Sequence, residues 1–106
     1  MAATRVFVEC HDPHTVEMLE LQAVGLGTLF FRWEMIANRR SKDNPELSLD
    51  LEIPDFRPSD IPLIQSYPGV ERANVFPTPD NTPFPDVHTR RKELLPKYIA
   101  AHSAAI

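Results

Sequence analysis

Glycine and cysteine are scarce in this chain, with 3 glycines and 1 cysteine among 106 residues. A single thiol, Cys10, cannot form a disulfide within the chain, and it cannot supply the paired-cysteine site of small metal-carrying domains. So few glycines leave no phosphate-cradling loop and no dinucleotide fingerprint. No Ser–His–Asp spacing marks a nucleophile. Apolar runs are short. None reaches the ~20 residues of a membrane-spanning helix, and no apolar leader follows the first residues. Cationic residues are outnumbered, with 11 Lys and Arg against 15 Asp and Glu and a net charge of −4. A nucleic-acid partner needs a basic surface, so that class is disfavoured. The expectation is a cytoplasmic domain with no metal, no cofactor, no catalytic residue, no membrane contact and no nucleic acid.

What the chain does have is proline, 11 in all, and an ordinary globular balance of 42% hydrophobic and 25% charged residues. The length suits one domain with a modest core. The clearest local pattern runs from Glu46 to Ile53, where Leu47, Leu49, Leu51 and Ile53 alternate with Glu46, Ser48, Asp50 and Glu52. Strand side chains alternate between faces, so this segment lines one face and wets the other.

Upstream, Thr4–His11 reads as a strand with Val6, Val8 and Cys10 on one face. Asp12 is placed to cap a following helix and Pro13 to occupy its first position. The helix spans His14–Val24, with Val16, Leu19, Ala23 and Leu26 as its stripe, flanked by Met18 and Leu21. Glu17 and Glu20 fall on the side assigned to water, and Gly25 and Gly27 mark the stop. Thr28–Asn38 is a strand rich in large residues, with Phe31 and Trp33 on one face and Phe30, Arg32, Glu34 and Ile36 on the other. Arg39–Pro45 is the hairpin loop, with Arg39, Arg40 and Lys42 solvated. If this hairpin buries one face, opposed residue numbers must sum to an even value. Either 84 or 82 would pair Arg32 with Glu52 or Asp50, and an odd sum would bury the acidic face. Ser59 and Asp60 offer a cap to a short helix over Ile61–Tyr67, and Val70–Phe76 is the last strand.

From Pro77 the composition changes. Pro77, Pro79, Pro83 and Pro85 make an extended arm, followed by a helix over His88–Ala105 that Pro96 interrupts. The chain through Phe76 carries 7 basic and 12 acidic residues (−5), and the tail 4 and 3 (+1). The expected fold is therefore α+β: a ferredoxin-like βαββαβ antiparallel sheet over residues 1–76 with two helices on one face, and a proline-rich arm with a C-terminal helix over residues 77–106. In that arrangement the first and third strands are central.

Residues 4–76 resemble the ACT-type regulatory domains and their relatives, including the cytoplasmic C-terminal domain of MgtC-type membrane proteins. The resemblance is carried by Val6-Phe7-Val8-Glu9-Cys10-His11-Asp12-Pro13 as first strand and turn, by the long second strand, and by Ile64-Gln65-Ser66-Tyr67-Pro68-Gly69-Val70-Glu71-Arg72-Ala73-Asn74-Val75 as helix into strand. It implies a small non-catalytic regulatory or accessory module acting as a homo-oligomer or by docking on a partner protein, with a small-molecule ligand as a further class of partner.

Candidate ligand-binding residues are His11, Asp12 and His14 at the first turn, and Arg32 and Glu34 on the second strand. Cys10 points inward, away from any substrate. Candidate interface residues are Phe7, Phe30 and Ile36 on the sheet face away from the helices, and Phe84, Leu95 and Tyr98 in the tail. Arg90-Arg91-Lys92 is read as solvated or as a dock for an acidic partner. The competing reading is a small dimeric α+β-barrel enzyme with a pocket between facing sheets, in which His11, His14, Arg32 and Glu34 supply acid–base groups.

Overall fold

The computed structural model describes residues 3–27, 37–77 and 81–103. The elements run β1 (Thr4–Cys10), α1 (Pro13–Ala23), β2 (Ala37–Arg40), β3 (Ser48–Ile53), α2 (Asp60–Gln65), β4 (Val70–Val75) and α3 (Val87–Ser103). The strands make one antiparallel sheet ordered β2-β3-β1-β4, with β1 and β3 in the centre. Residues 28–36 of the expected second strand lie outside the described residues. The proposed partners Phe30, Arg32, Trp33, Glu34 and Ile36 are among them.

The alternation seen in the sequence sets the core. Val6 opposes Leu51 and Val8 opposes Leu49. These residues, with Cys10, Ile53, Val70 and Ala73, form one buried layer beneath Val16, Leu19 and Ala23 of α1 and Ile64 of α2. Both helices therefore cover the same sheet face. Each fully buried Val, Leu or Ile contributes about 1.5–3 kcal/mol relative to exposure, so this layer is the main stabilising element.

Helix α1 begins and ends as its residues dictate. Asp12 is extended and its carboxylate accepts from the Thr15 amide at 2.8 Å, with Pro13 next. At the other end Gly25 has φ +81°. The Gly25 amide donates to the Gln22 carbonyl and the Leu26 amide to the Leu21 carbonyl, a Schellman motif closed by the apolar Leu21–Leu26 side. Helix α2 is a short turn. Its Asp60 carboxylate folds back to accept from the Arg57 amide at 2.8 Å, and Ser59 makes no side-chain cap bond.

The hairpin register differs from the expected one. Ala37 opposes Glu52, Asn38 opposes Leu51, Arg39 opposes Asp50 and Arg40 opposes Leu49, an odd sum throughout. Strand pairing also continues through Arg39 and Arg40, which the composition had assigned to a solvated loop. Parity alone admits only apolar side chains to the face of Leu49 and Leu51. Here Asn38 and Arg40 share it, because α1 offers them a polar partner. The acidic face is indeed partly buried: Asp50 is 4% exposed, and Arg39 compensates it.

Helix α3 is not interrupted where its proline was expected to break it. It spans 17 residues and continues through Pro96. Proline removes one helical donor, but tertiary packing on both sides of that turn holds the helix. Leu94 is buried against Leu21 and Val24 of α1, with Tyr98 packed on the same cluster. Met18 and Leu21, which flank the stripe in the sequence pattern, thus belong to a second apolar face of α1, and Leu26, expected in the stripe, joins them just past the end of the helix.

Candidate docking groove on the sheet face

The sheet face away from α1 and α2 carries Arg39, Asp50, Glu52, Arg5, Phe7 and Glu9 in adjoining register positions. The arm closes one side of it. Arg39 Nε lies 3.2 Å from Asp50 Oδ2, and Arg39 Nη1 donates to the Thr82 carbonyl at 2.9 Å. Lys42 Nζ donates to Thr82 Oγ1 at 3.3 Å. The Phe84 ring sits against two guanidinium groups, 4.5 Å from Arg39 and 4.8 Å from Arg5. Each cation–ring contact at a partly desolvated site is worth about 0.5–2 kcal/mol. The prolines bring an already extended segment to these contacts at reduced entropic cost.

The other side of the same face is a groove. A pocket of about 320 Å³ is lined by Phe7, Glu9, Asp43, Leu47, Ser48 and Glu71, among others. A wider depression of about 620 Å³ continues from Phe7 and Asp43 to Val75, Phe76 and Pro77. Phe7 and Phe76 meet edge to face at 6.2 Å and form part of the apolar floor. The rim carries three carboxylates and one nearby cation: Arg72 Nε is 3.1 Å from Glu9 Oε2 and Arg72 Nη2 is 3.9 Å from Glu71 Oε1. The groove is lined by both apolar and acidic side chains.

Behind the sheet, Glu20 joins three elements. It is fully buried, contrary to its assignment to the wet side of α1. Arg40 of β2 lies 2.9 Å from Oε1, Arg90 of α3 pairs with Oε2, and the Asn38 amide donates to the Glu20 carbonyl at 3.4 Å. Arg91 Nε donates to the Val24 carbonyl at 2.8 Å, at the negative end of the α1 dipole. Arg40 and Arg90 are therefore structural rather than solvated, and Arg91, though exposed, is tied to the C-terminus of α1. Helical periodicity pointed Glu20 away from the α1 stripe, and nothing in the sequence marked α3 as the element that would cover it.

The first-turn candidates do not converge on a ligand site. His11 and His14 are exposed. Asp12 is committed to the helix cap: its bonds from the Thr15 amide and hydroxyl, with minor help from His14, hold its carboxyl below the usual range. Cys10 is 2% exposed, and burial raises its thiol from 9.0 to about 11, with the Asp12 carboxylate adding to the rise and Arg40 opposing it. Among the described residues no three His, Cys, Asp or Glu side chains are grouped as a metal site, and no helix is long and apolar enough to cross a membrane. Of the interface candidates, Phe7 lines the groove, Phe84 fastens the arm, Tyr98 packs on α1 and Leu95 is 40% exposed. Sequence reasoning missed Asp43, Leu47 and Glu71 at the groove, because their meeting depends on how the hairpin loop folds over Phe7. Comparisons with protein-family models, curated proteins and solved structures find no match to this chain.

Proposed function

We propose that this chain is a non-catalytic ferredoxin-like, ACT-like module that acts through oligomerisation or partner docking on the sheet face away from its helices. The strand order, taken from the β4 edge, is 4-1-3-2 with α1 and α2 on one face, which agrees with that arrangement. The observation that carries the reading is the unequal cover of the other face. The arm seals the side at Arg39 and Asp50, and the Phe7 side stays a groove with an apolar floor. A concave apolar surface rimmed by charge is the usual form of an interaction site. The arm also lies against Arg39 and Arg5 on the face that a facing sheet would need, which favours docking over a cavity between two sheets.

Native mass spectrometry and light scattering of the protein purified from its own source test this. The expected result is a mass above that of one chain, from self-association or a retained partner. A bare monomer at every concentration would overturn it.

A further inference from the structure

Among the described residues four large hydrophobic side chains are conspicuously exposed: Leu63 at 37%, Val75 at 44%, Leu95 at 40% and Ile99 at 53%. Val75 lines the groove, and Leu95 and Ile99 lie on α3. Residues three and four apart share a helix face, so Lys92, Leu95 and Ile99 form one stripe on α3, with His88 one turn before Lys92. This stripe is adjacent to the face that Leu94 and Tyr98 press onto α1. It combines two exposed aliphatic side chains with a cationic residue, Lys92.

The groove has the complementary chemistry. Phe7, Leu47 and Phe76 supply an apolar floor, and Glu9, Asp43 and Glu71 supply an acidic rim with Arg72 as the neighbouring cation. The charge division extends along the chain, −5 through Phe76 and +1 in the tail. The stripe cannot enter the groove of its own chain. Helix α3 is fastened to α1 through Leu94 and through Arg91 on the Val24 carbonyl, and α1 covers the opposite sheet face.

We infer that the Lys92–Leu95–Ile99 stripe of one copy docks in the Phe7 groove of a second copy, its aliphatic side chains against Phe7, Leu47 and Phe76 and Lys92 against Asp43 and Glu71. The inference rests on the self-association half of the function proposed above and names the surfaces that carry it. Two different patches meet in this contact, so it is heterologous, and complementary defects on separate chains can rescue each other.

Two variants provide the test. Leu95→Glu with Ile99→Glu spoils the stripe, and Asp43→Lys with Glu71→Lys spoils the groove. All four positions are exposed, so circular dichroism should report unchanged folding. In sedimentation, each variant alone should self-associate at least about tenfold more weakly than the parent, as loss of central anchors or paired charges predicts. An equimolar mixture should recover a species heavier than one chain, because each supplies the patch the other lacks. Recovery in the mixture supports the inference. If either variant associates as the parent does, or the mixture stays at one-chain mass, the stripe–groove contact is wrong even though the parent oligomer stands. A monomeric parent overturns both the inference and self-association as the mode of action.

Discussion

Arg40 of β2 and Glu20 of α1 meet at 2.9 Å, and the Glu20 side chain has no exposure to solvent. The second carboxylate oxygen is held by Arg90 of α3. One enclosed anion thus ties the edge strand, the first helix and the tail helix together. Burying a carboxylate is costly, and this one is tolerated because two guanidinium groups repay the desolvation.

Glu20→Ala removes the anion and leaves two partly buried cations facing each other. The expected loss is on the order of 3–5 kcal/mol, the range for breaking a buried ion pair. Urea denaturation measures it. The same experiment on Arg90→Ala and on the double variant gives a coupling energy. A coupling near zero would mean that Arg90 and Glu20 do not act as a pair.

Phe84→Ala should loosen the arm without unfolding the core. The ring contributes contacts to two guanidinium groups, and the core layer under α1 does not include it. Stability should fall by about 1–3 kcal/mol from lost cation–ring contact and burial. Hydrogen exchange should accelerate over residues 81–86 while α1 keeps its protection. Uniform acceleration through α1 and β1 would instead place Phe84 in the main cooperative unit.

The legible parts of this fold were those governed by local pattern. Alternation in Glu46–Ile53 placed Leu49, Leu51 and Ile53 in the core, and Asp12, Pro13 and Gly25 bounded α1 as their backbone preferences require. The hairpin register was misread because parity counts only apolar against polar. Asn38 and Arg40 could share the apolar face once Glu20 was there to receive them, and that depended on α3 supplying Arg90. The arm is legible as extended but not as seated on Arg39 and Arg5, since no local signal names a tertiary partner. The candidate site followed the same division. Phe7 was visible as an outward apolar side chain on β1, and the carboxylates around it come from separate loops and strands.

Cys10 gives an alkaline signature. Its thiol is raised to about 11 in the folded chain from 9.0, so the folded state stays protonated where the unfolded state ionises. For a raised group the contribution is fully present below the unfolded value. It is lost as pH climbs from about 9 towards about 11. The denaturation midpoint of the parent should therefore drop more steeply than that of Cys10→Ala over this window. Other groups titrate there as well, and the difference between the two curves isolates the thiol. Parallel curves would mean that the buried thiol is not shifted. Labelling by a thiol reagent should also be slow at pH 8 until denaturant is added.

The corner that joins β1, α1 and β4 is held by Asp12, Thr15 and Gly69. Gly69 has φ +95°, and a Cβ there would come 2.1 Å from Thr15 Oγ1. The His11 amide donates to the Gly69 carbonyl at 2.8 Å, so the backbone cannot swing away without losing a bond between the two turns. Gly69→Ala should therefore cost more than the ~1 kcal/mol of an unfavourable backbone angle, because it adds a collision to the strain. Thr15→Ala in the same chain removes the atoms that collide and should restore part of the loss, at the expense of one hydroxyl bond to Asp12. Asp12→Ala should destabilise the fold at neutral pH, and Asp12→Asn much less, since asparagine caps nearly as well. The two differ in acid. The Asp12 carboxyl is held below its ordinary value, so its extra stability is present above the unfolded pKa and disappears as pH falls through the folded one. The parent should lose this part of its stability in acid, and Asp12→Asn should not. An Asp12→Asn variant with the same acid limb as the parent would show that the cap bond to Thr15 contributes nothing to the pH dependence.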